Sequence, residues 1–486
     1  MFCQISPETE RQKDWSKPTT FGELSVCVGQ LDDASDLLTT EVIGTSAEGR
    51  NLFALYFSST EFGSDTGKIK VLIFAQQHGN EQSGKEGALL LANELIKPEY
   101  QYLFNSIDLV LIPQMNPDGS EVNQRRNGND MDLNRNHLIL TEPETMALHK
   151  LFDKHLFEVT MDVHEYSPYS EEWLSKGIHK NSDEMIGTTT NIDVPDSIRN
   201  ISKNDFVPFY KKYLNDKGYS AFEYCPGGPP ETDYIRLSTF DINDGRQSLG
   251  ILGTFSFIQE GKNSKDDYCE NLERRANGQM SGMVCLLEFV SQNKSRIKQI
   301  IDKEREKLIG GDEGQRIAIQ SVHSADGSKL DLPVYVIASG NDSIIRVHDF
   351  RPIVKSLTDV RKPKGYLVPK ELEIIIDWAQ RNDLRMHEYH GNPLEEIEQY
   401  MILRIDSIDF ELDTIVDPVV ESEKIRIRNP WQYMFIPTAQ LKGNMMVLAL
   451  EPKSMLGLAT YLQFASLLKS GETFPVLRVV TKETDH

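Results

Sequence analysis

The sequence predicts an α/β fold: a mixed, largely parallel sheet between layers of helix, followed by a β-rich C-terminal domain. Three observations carry this. Residues 71–75 (VLIFA) and 107–113 (IDLVLIP) are short, almost unbroken apolar runs, as strands covered on both faces require. Such runs alternate with helical stretches, 83–95 after the first and a segment reaching about residue 155 later, the rhythm of crossover units. Beyond a Gly-rich break at 310–314 the pattern changes to short alternating runs, among them 330–337 and 399–405.

Composition sets outer limits. Hydrophobic residues at 39% and charged residues at 26% describe an ordinary globular chain, and 486 residues are enough for two or more domains. Lys+Arg 52 against Asp+Glu 74 gives a net charge of −22, which disfavours nucleic-acid phosphates and anionic membranes as partners. No apolar run has the length of a membrane helix. Residues 1–15 (MFCQISPETERQKDW) lack the apolar core of a signal peptide, so the chain is either intracellular or numbered from beyond a removed signal. The five cysteines, Cys3, Cys27, Cys225, Cys269 and Cys285, are odd in number and contain no CxxC pair, so neither a zinc ribbon nor a disulfide framework is expected.

In chain order, residues 1–37 read as a loose polar lead-in. Residues 41–57 read as two strands around a turn carrying Gly49. The strand at 71–75 runs into Gln76-Gln77-His78-Gly79-Asn80-Glu81, and the helix at 83–95 follows. His78 and Glu81 thus stand where a buried strand gives way to a helix, the sheet edge at which α/β proteins place ligands. Their spacing lets an imidazole and a carboxylate converge on one Zn²⁺. Taken alone, HxxE fits a polar helix cap equally well.

The strand at 107–113 leads into Asn116-Pro117-Asp118-Gly119, a turn by composition, and then into a polar loop containing Arg125, Arg126, Asn127, Asp132, Asn134 and Arg135. Guanidinium groups gathered on a cleft make forked hydrogen bonds to a carboxylate, and an Asn amide completes such a clamp; any one of these arginines would equally suit a solvated loop. Thr141-Glu142-Pro143-Glu144 predicts a capping box with Pro in the first turn of a helix to about His155. Residues 158–163 predict a strand that delivers His164. Residues 252–260 predict another, ending in Glu260, and 267–308 a long helical region whose 283–290 stripe is core. Residues 365–369 (GYLVP) lead to a helix opened by Val368-Pro369-Lys370 and running to about Asp383.

Together, GTSAEGR at 44–50, HGNE at 78–81, NPDG at 116–119, DLNRN at 132–136 and the strand-borne His164 resemble, in order and spacing, the zinc carboxypeptidase family of carboxypeptidase A. The likeness spans roughly residues 38–300. It implies an α/β/α sandwich, one Zn²⁺ held by His78, Glu81 and His164, and hydrolysis of the C-terminal peptide bond of a peptide. Asn134 and Arg135 would bind the terminal carboxylate, and Arg125 would polarise the scissile carbonyl, with Arg126 the alternative if the register slips. Glu260 would be the general base, and Asp132 the carboxylate that fixes a ligand histidine's tautomer. The resemblance also implies an extracytoplasmic location, and segments 365–369 and 449–458 are similar to the tails of larger bacterial members.

Departures are visible. Glu165 follows His164 where the best-known members carry a small residue, and the substrate-capping tyrosine has no clear counterpart, Tyr234 being nearest in spacing. Arg246 is similar to an arginine of bacterial relatives and receives no role. His137, His149, His155, His179, His323, His348, His387, His390 and His486 read as ordinary structural histidines. The expected organisation is a lead-in at 1–37, a catalytic domain at 38–309 and an accessory domain at 315–486. Alternatives to the peptidase are an amidase on cell-wall or modified peptides, a zinc-retaining binding protein without turnover, and an acyl-amino-acid deacylase, against which DLNRN argues.

Overall fold

The computed structural model describes residues 13–265, 267–311, 314–410 and 413–481; Cys3, His486 and the Asp312-Glu313 part of the expected linker lie outside these. The N-terminal half is organised on strands β1 (Leu38–Thr45), β2 (Asn51–Phe57), β3 (Ile69–Ala75), β4 (Ile107–Ile112), β5 (Val159–Tyr166), β6 (Ile178–Lys180), β7 (Glu184–Thr188), β8 (Ala221–Glu223), β9 (Ile235–Arg236) and β10 (Phe255–Lys262). Eight of these form one sheet in the order β1-β2-β4-β3-β5-β10-β7-β8. The pairs β4–β3, β3–β5, β5–β10 and β7–β8 are parallel. The remaining pairs are antiparallel. Every residue of β4 and β5 is buried, as in strands covered on both faces, including the polar Asp108, Asp162, His164 and Glu165.

Helices Gln82–Leu95 and Leu272–Gly310 pack against one another on the sheet. The stripe Met283, Leu286, Leu287 and Val290 is core, as expected. Helix Phe21–Ala34 was not anticipated: it begins on a capping box, Thr20 with Glu23, and buries Leu24, Val28 and Leu31. The T-x-x-E signature was present, but a polar outer face hid the narrow apolar stripe. The capping box expected at 141–144 does not form. Glu142 is the N-cap of helix Pro143–His155, without a side-chain cap. Thr141 turns instead to Asn136.

The C-terminal half is β-rich. Its six-stranded sheet contains Gly365–Pro369, His387–Glu388, Glu395–Phe410, Asp413–Ile425, Tyr433–Pro437 and Leu477–Thr481. Pro369 therefore closes a strand rather than opening a helix, and the helix is Glu373–Arg381. Residues 366–368 are buried between two antiparallel neighbours, and that pairing overrides the helix-start signal. The two halves share a core: one cluster of buried residues includes Val71 and Leu148 together with Trp378, Ile436 and Met446. Strand Leu330–Val336 pairs with β6, and Phe350–Arg351 pairs with β9. Among the described residues no helix is long and apolar enough to cross a membrane. Cys225, Cys269 and Cys285 are free thiols.

Candidate metal centre and active site

The chain leaves β3 through Gln76, whose backbone adopts the left-handed conformation (φ 59°), and so turns His78 across the sheet edge. Gly79 has no room for a side chain: a Cβ would lie inside contact distance of the backbone of Gly119, Ser120 and Gln124. This close approach clamps the His78 loop against the NPDG turn, where Asn116 Oδ1 accepts the Gly119 N–H at 2.8 Å. Glu81 sits at the N-cap of helix Gln82–Leu95, its N–H bonded to His78 O at 3.1 Å. His164 arrives from β5.

These three side chains meet. His78 Nδ1 lies 2.7 Å from Glu81 Oε1, and His164 Nδ1 lies 2.9 Å from Glu81 Oε2. The two Nδ1 atoms are 3.1 Å apart. They are the one group of three or more His, Cys, Asp or Glu side chains among the described residues with ligand atoms gathered closely enough to hold a metal. Two imidazole nitrogens and a carboxylate suit Zn²⁺, and bonds of about 2.0–2.1 Å in a tetrahedron would set ligand atoms roughly 3.3 Å apart, so the trio fits after a slight opening. Each imidazole is held from behind by a carboxylate: His78 Nε2 is 3.2 Å from Asp132 Oδ1, and His164 Nε2 is 2.8 Å from Asp162 Oδ1. Such partners direct the opposite nitrogen of each ring to the metal.

The charges follow. Burial would raise the carboxyl of Glu81, but His78 and His164 beside it hold it well below the usual range. Burial opposes the charged form of His164, yet Asp162 and Glu81 push its pKa well above the ordinary value. The site therefore favours positive charge at its centre, as a cation-binding site must.

Glu260 is the register partner of His164 across the parallel β5–β10 pair, so the two side chains leave the same face. It is buried, and that burial pushes its pKa up to about 7, against the pull of His164. Arg125 turns toward the trio, with Nε 3.0 Å from Asp132 Oδ2 and Nη1 3.2 Å from His78 Nδ1. Arg126 turns outward, its Nη1 donating to Asp130 O at 2.7 Å. Asn134 is buried, with Oδ1 accepting the Gly245 N–H at 2.8 Å and Nδ2 3.3 Å from His164 Nε2. Arg135 is exposed, its Nη1 bonded to Asn134 O at 2.9 Å.

Glu165 has a definite place. Its N–H bonds Glu81 Oε2 at 3.0 Å, its carboxylate caps Ser83 N at 3.1 Å, and Arg275 from the long helix pairs with it. Tyr234 stacks under the Arg351 guanidinium of the C-terminal half, 3.9 Å from its ring centre. Arg246 is buried in a pair with Asp244 at 2.9 Å. Sequence reasoning missed Asp162, Gln77 and the contact between His137 and His149. For Asp162 a signal existed, since it stands two residues before His164 and so on the same face of one strand.

The chain is similar to known proteins along much of its length. Residues 27–173 match the family model described as zinc carboxypeptidase. The chain is 23% identical over 467 residues to carboxypeptidase 2 of Trichophyton tonsurans, covering 89% of this chain and 81% of that protein. It is 32% identical over 232 residues to carboxypeptidase M of Mus musculus, covering 41% of this chain and 52% of that one. A crystal structure of a metallo-carboxypeptidase from Burkholderia cenocepacia aligns with a TM-score of 0.45 at 17% identity, over 57% of this chain and 70% of that one. Over residues 27–173 the chain is similar to the zinc carboxypeptidases, its likeness to carboxypeptidase 2 extends along 89% of its length, and it is a peptidase.

Proposed function

We propose that this protein is a metallocarboxypeptidase that removes the C-terminal residue of a peptide, with one Zn²⁺ held by His78, Glu81 and His164. The observation that carries the reading is the convergence of two imidazole Nδ1 atoms and one carboxylate beside the buried Glu260. Zinc bound there supplies a Lewis acid that polarises a carbonyl and acidifies a water. Arg125, anchored on Asp132, donates to the scissile carbonyl oxygen and stabilises the charge that grows on it. Asn134 and Arg135 bind the free terminal carboxylate, one by an amide held by its neighbours and one by an exposed guanidinium. Glu260 takes a proton from the attacking water on a carboxylate oxygen and returns it to the leaving amine. The burial that raises its pKa to about 7 matches it to that task. An extracytoplasmic location, periplasmic or secreted, goes with this reading.

The test compares wild type with Glu260→Gln at equal zinc content on blocked dipeptides with free C-termini. Release of the terminal amino acid by wild type alone supports the assignment. Zinc-loaded wild type that releases nothing from any member of the panel overturns it.

A further inference from the structure

A line of buried polar side chains runs away from the metal centre. Asp162 Oδ1 lies 2.8 Å from His164 Nε2 as an ion-pair contact, and no hydrogen bond reaches this buried oxygen. Its second oxygen, Oδ2, accepts Gln77 Nε2 at 2.7 Å. Gln77 Oε1 is 2.8 Å from His137 Nε2, and His137 Nδ1 is 3.0 Å from His149 Nε2. All five residues are at least nine-tenths buried. Gln77 Nε2 also reaches Asn134 Oδ1 at 3.4 Å.

The chain has one consistent direction. A carboxylate accepts only, so Gln77 must turn its NH₂ to Asp162 and its carbonyl oxygen to His137. His137 must then carry its proton on Nε2, which leaves Nδ1 to accept from His149 Nε2–H. Neutral rings are required for this. Burial lowers the pKa of His137 to about 4, and burial, with His137 and Lys442 nearby, holds His149 well below its ordinary value. With its far oxygen engaged by Gln77, Asp162 presents Oδ1 to His164, and Nδ1 of that ring is left facing Glu81 and His78.

A second observation points to the same junction. A Cβ on Gly245 would lie 2.8 Å from Asp162 Oδ2, 3.0 Å from Gln77 Nε2 and 3.2 Å from His137 Nε2. The network atoms thus close over a backbone that carries no side chain, and the N–H of that same Gly245 orients Asn134.

We propose that His137, backed by His149, is a positioning residue: through Gln77 and Asp162 it fixes the ring of His164, and through Gln77 it braces the amide of Asn134. One residue that touches neither metal nor substrate therefore sets both a metal ligand and the carboxylate clamp. This rests on the zinc reading above.

The test uses the full chain and measures zinc affinity by competition with a chromophoric chelator, for wild type, His137→Phe and His137→Gln. The Phe ring keeps the volume and loses the donor, whereas the Gln amide places an N–H near the lost Nε2–H. Outer partners of metal ligands change affinity by about 10–100-fold. His137→Phe is therefore expected to bind zinc about tenfold more weakly, and His137→Gln within about threefold of wild type. ¹⁵N-histidine spectra of the wild type should show neutral His137 carrying its proton on Nε2, and the Nδ1–H tautomer there overturns the proposal. Wild-type zinc affinity in His137→Phe, or equal losses in both variants, overturns the proposal. Should His137→Phe not fold, His149→Phe against His149→Gln asks the same question one link further out, and equal affinities there overturn it. Failure of wild type itself to hold one zinc would instead remove the reading beneath.

Discussion

Replacing Arg275 with Met tests how the chain accommodates Glu165 beside its metal ligands. Arg275 holds Glu165 Oε1 through Nη2 and through Nε, the latter at 3.0 Å, and the two side chains are 9% and 0% exposed. Methionine keeps much of the stem and removes the charge and its donors. Stripping one partner from a buried pair costs about 3–5 kcal/mol, because the remaining charge stays desolvated. The surviving bond from Ser83 N, at 3.1 Å, offsets about 1 kcal/mol of that. The expected loss is therefore about 2–4 kcal/mol. Glu165→Gln in the same chain removes the stranded charge while an amide oxygen still accepts from Ser83, so the double variant should recover at least about half of the loss. Urea unfolding followed by tryptophan fluorescence, read as midpoints at equal slope, measures both. Zinc affinity should fall in the single variant, because the Glu165 N–H holds Glu81 Oε2 at 3.0 Å. A single variant within about 0.5 kcal/mol of wild type, or a double variant no better than the single, refutes the reasoning.

Two further predictions concern other parts of the chain. Asp193 is buried, accepts the Ala318 N–H at 3.1 Å, and has its pKa raised by burial to about 7. The folded state then keeps a proton that the unfolded chain releases above pH ~4. Stability falls as pH rises from there to about 7, by a few kcal/mol at about 1.4 kcal/mol per unit, and is flat with respect to this group above and below that window. Asp193→Asn should flatten that slope in thermal melts between pH 5 and 8, and an unchanged slope contradicts the assignment. Gly79→Ala should lower zinc affinity by tenfold or more, because its Cβ meets the backbone of Gly119, Ser120 and Gln124, which cannot yield as a side-chain end would. Equilibrium dialysis against buffered zinc reads the effect directly, and wild-type affinity would show that the loop gives way freely.

What the residues alone determined lies mainly in local pattern. The apolar runs at 71–75 and 107–113 read as strands covered on both faces, because so apolar a stretch has little to turn to water. HGNE and NPDG follow the ends of β3 and β4, and the structure brings His78, Glu81 and His164 together there. Tertiary structure decided the rest. Pro369 ends a strand because two neighbours pair across 365–369, a preference that no window of sequence contains. Helix Phe21–Ala34 forms because its narrow apolar stripe finds the core. Glu165 becomes tolerable only because Arg275, far along the chain, reaches it. His137, His149, Gln77 and Asp162 are separated in sequence and unremarkable singly. Their significance is a set of hydrogen bonds between side chains brought together by folding, and bonds of that kind leave no periodicity in a sequence.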